Sequence, residues 1–84
     1  MTIFLSVKAD KQLRKLPKQI HKALVNKIEA LAFTSFPQGA KRLVNRPGWR
    51  IRWGNYRILY TVDQRKKEVT VLSVAHRKEA YRIN

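Results

Sequence analysis

Six residues carry the chemistry this chain can offer: Arg50, Arg52, Arg57, His76, Arg77 and Tyr81. Four are guanidinium groups, which stay charged and grip phosphate oxygens through a planar fork of donors. His76 can give or take a proton near neutral pH. Tyr81 can hydrogen-bond a reacting group or stack on a nucleobase. One reaction needs little beyond this set: cleavage of RNA by its own 2′-hydroxyl. The protein must align that hydroxyl with the adjacent phosphorus, stabilise the added negative charge and manage two protons. Arginines suit the first two tasks and are poor bases, because they remain protonated. Proton handling then falls to His76, Arg77 and Tyr81. Structural readings stand beside these roles. His76 also fits a strand-end histidine with an ordinary hydrogen bond, and Tyr81 an aromatic packed on the core.

Other chemistries find no support. The chain has no cysteine, so it builds neither a disulfide framework nor a thiolate metal site. It has no Gly-rich phosphate loop, no His-Glu metal motif and no nucleophile elbow. Its five acidic residues are scattered, which argues against a two-carboxylate or two-metal nuclease. No cofactor and no metal are expected.

Charge narrows the partner. Nineteen Lys and Arg against five Asp and Glu give a formal +14 on 84 residues. The segment from Lys41 to Arg57 contributes Lys41, Arg42, Arg46, Arg50, Arg52 and Arg57, with no acid among them. Charge this one-sided repels itself in the compact state and implies a polyanion or an acidic protein as partner. The 44% hydrophobic content is that of a folded chain. No run of 18 apolar residues is present to span a bilayer, and the N-terminus lacks the pattern of a signal peptide. Neither a membrane partner nor export is expected, and the cytoplasm is the simplest location.

The elements that must position these residues follow from period and punctuation. Residues 47–60 read as two strands joined by a Gly54-Asn55 turn. Alternation along a strand puts Arg50 and Arg52 on one face, and Trp49, Ile51 and Trp53 on the other. In the partner strand Ile58 and Tyr60 alternate with Arg57 and Leu59. Residues 2–7 read as a short strand. Asp10 is a plausible cap for a first helix in which Leu13 and Leu16 form a stripe. Pro17 suits the first position of a second helix running to about Phe33. Its apolar face is Ile20, Leu24, Ile28 and Leu31, at helical spacing. Residues 34–39 read as a loop, 40–44 as a short strand, 63–67 as a polar turn and 69–75 as a central strand. His21 has no partner pattern. The order predicts one α+β domain over 1–84: an antiparallel sheet of about four strands with an N-terminal strand and a helical hairpin packed on one face. The expected core is Ile20, Leu24, Ile28, Leu31, Ile51, Ile58, Tyr60, Val69, Val71, Leu72 and Val74.

Two stretches, Gly48 to Tyr60 and Val71 to Tyr81, carry a resemblance. With the leading strand and the helical hairpin, they make the chain similar to the RelE/ParE superfamily of toxins from toxin–antitoxin pairs. The resemblance implies a small basic toxin that enters the ribosomal A site and cleaves bound mRNA without a metal. It also implies a cognate acidic antitoxin that wraps and neutralises it. By position, Arg50 and Arg52 match two basic residues of the family's active face. Arg57 and Arg77 match phosphate-binding arginines, and Tyr81 matches the C-terminal tyrosine. Some RelE-like members carry lysines where this chain has Arg50 and Arg52; arginine is the worse base, so proton abstraction falls to His76 or is weak. ParE-type relatives share the fold and act on DNA gyrase instead. Arg77 and Tyr81 together favour the RelE branch. A non-catalytic, basic RNA-binding module is the remaining alternative.

Overall fold

The computed structural model describes residues 1–76. Its order is β1 (Thr2–Leu5), α1 (Val7–Arg14), α2 (Lys18–Ala30), β2 (Lys41–Arg42), β3 (Trp49–Trp53), β4 (Tyr56–Asp63) and β5 (Glu68–His76). The α+β architecture and the helical hairpin match the expectation. The sheet differs in one respect: it has five strands in the order β1-β5-β4-β3-β2 and is mixed. β1 runs parallel to β5, with Ile3 beside Val69 and Leu5 beside Val71. Two helices separate β1 from the rest of the sheet in sequence, so β1 can reach the far edge in the parallel sense, as short hairpin loops do not allow.

The cap of α1 lies four residues before Asp10. Ser6 is the cap: its Oγ accepts from the Ala9 N–H at 3.0 Å and donates to the Leu72 carbonyl at 2.7 Å. One hydroxyl therefore ends β1, starts α1 and ties both to β5, a task Asp10 could not perform. Asp10 instead pairs with Arg14 one turn on, at 3.1 Å. Gln12 Oε1 accepts the Val74 N–H at 2.6 Å, a second tie from α1 to β5. The hairpin of helices is closed by His21, whose Nδ1 donates to the Leu13 carbonyl at 2.8 Å.

The core lies between the helices and one sheet face. Leu24, Ile28, Leu31, Ile51, Ile58, Tyr60, Val69, Val71 and Val74 are buried, joined by Ala9 and Leu13. Ile20 is only partly buried, and so is Leu72. Leu72 departs for a specific reason. Leu59 pairs with Ser73 and Tyr60 with Val71, so Leu72 is an extra residue in β5, a β-bulge. Tyr60 donates its hydroxyl to the Ser35 carbonyl at 2.7 Å. Burial pushes its pKa up to about 12.

Two glycines shape the β3 region. Gly48 has φ +126, and a Cβ there would meet Leu43 Cδ1 and the Tyr60 carbonyl, each at 3.0 Å. Gly54 has φ +57 and Asn55 does not have a positive φ, the pattern of a type II′ hairpin turn.

Candidate functional site

The site is built by strand register. Arg50 pairs with Leu59, Arg52 with Arg57, and Arg57 in turn with Ala75. Directly paired residues share a face, so Arg50, Arg52 and Arg57 stand together on the side away from the helices. Lys41 pairs with Arg50 and joins them. Trp49, Ile51, Trp53, Tyr56 and Ile58 take the opposite side. Trp49 and Trp53 pack partly buried against the core there, which leaves the arginines a rigid, packed platform.

The loop after β2 completes a cavity on this face. The Leu43 N–H donates to the Gly48 carbonyl at 3.0 Å, which folds residues 43–48 back against β4. Asn45 takes the left-handed conformation at φ 63, one that asparagine tolerates. The open cavity is about 280 Å³, lined by Arg42, Arg46, Arg50 and Arg57 over Leu59 and Ala75. Among the described residues, every ionisable side chain in that lining is an arginine. Arg42 and Arg46 were not singled out as site residues in the sequence. Their signal was the run of basic residues without an acid from Lys41 to Arg57. Arg42 borders the cavity from the strand edge: it pairs with Trp49, and its guanidinium carbon lies 5.7 Å from the Trp49 ring centroid, on the other side of the sheet from Arg50.

His76 is not with the arginines. It pairs with Tyr56, one residue beyond the Arg57–Ala75 pair, and so faces the helices. Its ring stands edge-on to Tyr56 with centroids 5.2 Å apart. It opens onto a separate cavity of about 470 Å³ bordered by Gln12, Lys15, Leu16 and Val74. The bulge at Leu72 causes this. Strict alternation from Val69 and Val71 would carry His76 to the arginine face, and one inserted residue reverses it. Arg77 and Tyr81 lie outside the described residues.

The arginine cavity can bind a phosphate, orient it and stabilise extra charge on it. Among the described residues its lining supplies no group that titrates near neutral pH. Among the described residues, no three His, Cys, Asp or Glu side chains gather to hold a metal ion, and no helix is long and apolar enough to cross a membrane.

The sequence and the fold have parallels in known proteins. The ParE toxin family of type II toxin–antitoxin systems (parDE) matches residues 3–81. A chain of the toxin–antitoxin complex RelBE2 from Mycobacterium tuberculosis is 30% identical, with 90% of this chain and 96% of that chain covered and a TM-score of 0.81. A chain of the intact E. coli RelBE toxin–antitoxin complex is 26% identical, covering 89% and 94%, with a TM-score of 0.78. The YoeB/ParE toxin from Agrobacterium tumefaciens shares the fold at 14% identity, covering 90% and 98%, with a TM-score of 0.77. No curated protein sequence gives a significant match.

Proposed function

The chain belongs to the ParE toxin family of type II toxin–antitoxin systems, within the RelE/ParE superfamily, and from that premise we propose that it is a ribosome-dependent mRNA endoribonuclease. The observation that carries this reading is the gathering of Arg46, Arg50 and Arg57 around one cavity of about 280 Å³. In the proposed reaction the RNA 2′-oxygen attacks the adjacent phosphorus, the bond from phosphorus to the 5′-oxygen breaks, and a cyclic phosphate and a 5′-hydroxyl result. Arg57 and Arg50 hold the non-bridging oxygens as charge grows on them, the most effective place for fixed donors. Arg52 holds the neighbouring backbone. One proton leaves the 2′-hydroxyl and one reaches the 5′-oxygen. Arg77 and Tyr81 complete the set in this reading, with Tyr81 as proton carrier or base-stacking group. The chemistry needs no metal. A cognate acidic antitoxin covers the basic surface between rounds of activity, and the cytoplasm, where ribosomes work, is the place of action.

A second reading has its own support. The matching family is that of ParE, and His76 stands off the arginine face, which leaves that face without a described base. Both fit a non-nuclease inhibitor of DNA gyrase. Inducible expression followed by primer extension on a translated reporter mRNA separates the two. Codon-phased cleavage is the expected result. Intact mRNA with accumulated gyrase–DNA breaks would overturn the endoribonuclease reading in favour of the second.

A further inference from the structure

A second basic groove adjoins the arginine cavity. It measures about 260 Å³ and is lined by Lys27 of α2 together with Lys41, Arg50 and Arg52, with Gln38 beside them and Ile51 at its base. It exists because β2 is only two residues long. β2 covers β3 at Trp49 and Arg50, and no described strand continues along that edge past Arg50. The opened edge faces α2, where Lys27 is exposed.

Among the described residues no acid lines this groove. Of the acids in the described residues, Asp10 pairs with Arg14. Asp63 and Glu68 are cross-strand neighbours at the far end of the β4–β5 hairpin. Glu29 follows Lys27 by two positions, so the two point to different sides of α2. Arg50 lines both this groove and the arginine cavity. The two spaces therefore adjoin at one residue, and each is smaller than a typical small-molecule pocket. Successive units of one extended anion fit this arrangement better than a compact ligand does. An acidic protein segment is the weaker fit. Tight protein contacts need an apolar anchor, and the exposed apolar side chains, such as Phe33, Val7 and Phe4, do not line this groove.

We propose that the groove between α2 and the β3 edge is an RNA backbone subsite, which seats a nucleotide flanking the one held by Arg50 and Arg57, with Lys27 as its positioning residue. The inference rests on the arginine face being an RNA site. Lys27 contributes one phosphate contact and touches no reacting atom.

The test measures binding of the full chain to a 12-nucleotide, 2′-O-methylated single-stranded RNA, which cannot be cleaved, from 50 to 200 mM salt. Lys27→Gln should weaken binding and lower the slope of log K against log salt by about 0.7, the loss of one single-strand phosphate contact. Lys27→Arg should restore both. The thermal melting curve of Lys27→Gln should retain its cooperative shape. Affinity and slope equal to wild type in Lys27→Gln overturn the subsite, as does a wild type that binds no RNA at 50 mM salt. Weakened binding of a polyglutamate peptide, with RNA binding unchanged, overturns it in favour of a protein contact. Failure of the endoribonuclease reading is seen separately. In that case the reporter mRNA stays intact in cells while Lys27 still sets the salt slope.

Discussion

Arg52 and Arg57 are direct cross-strand partners in the β3–β4 hairpin. Sheets gain from opposite charges at such positions and lose from like charges, by roughly 0.2–1 kcal/mol. Arg52 is exposed and Arg57 half-buried, so the repulsion is only partly screened. Like charges so placed repel, and a bound phosphate would offset that repulsion. Arg52→Ala should therefore leave the melting temperature unchanged or raise it slightly, while RNA binding falls. Thermal melts and a filter-binding titration on the same sample check this, and a clear drop in melting temperature would contradict it.

Arg57→Ala should remove stabilisation of the charge that develops in the transition state. Comparable single donors are worth about 3–4 kcal/mol, a loss on the order of a hundred- to thousand-fold in rate. Single-turnover cleavage on programmed ribosomes measures it. A loss under tenfold would move the phosphate site elsewhere.

His76→Ala should alter stability more than the pH dependence of cleavage. Its ring packs on Tyr56 on the helix side of the sheet, away from the arginine cavity. The pH–rate profile of the variant should keep its shape. If the limb near neutral pH disappears instead, His76 handles a proton in the reaction, and the sheet or its C-terminal end must rearrange on the ribosome.

Tyr60 makes folding sensitive to alkali. Its pKa is pushed up to about 12, against about 10 in an unfolded chain. The neutral form is thus favoured by folding. Its contribution is whole below about pH 10 and is lost as pH climbs through about 12. Tyr60→Phe loses the bond to the Ser35 carbonyl, about 1 kcal/mol at neutral pH. Urea unfolding of both proteins between pH 8 and 12 should show the difference shrinking only above about pH 10. A gap constant with pH would mean Tyr60 ionises normally.

Ser6→Ala should cost about 1–2 kcal/mol, since it removes the cap of α1 and the bond to Leu72 together. Hydrogen exchange should show faster opening at Ala9 and at the start of α1. Unchanged protection there would show that water replaces the hydroxyl.

The two-sided character of the hairpin was legible in the chain because alternation is local: Arg50 and Arg52 must oppose Trp49, Ile51 and Trp53 once the segment is extended. The amphipathic period of α2, the Gly54-Asn55 turn and the one-sided charge were legible for the same reason, each resting on neighbours in sequence. The parallel seat of β1 beside β5 was not, because edge order depends on contacts between Ile3 and Val69, far apart in the chain. The cap on Ser6 was hidden because half of its bonding is to Leu72. The face taken by His76 was decided by one extra residue in β5, and a bulge has no signature in an apolar run such as residues 69–75. The approach of Lys27 to Arg50 and Arg52 belongs to the tertiary structure alone. It requires α2 to cross the sheet beside β3, and only packing of Leu24, Ile28 and Leu31 into the common core with Ile51 and Ile58 brings it there.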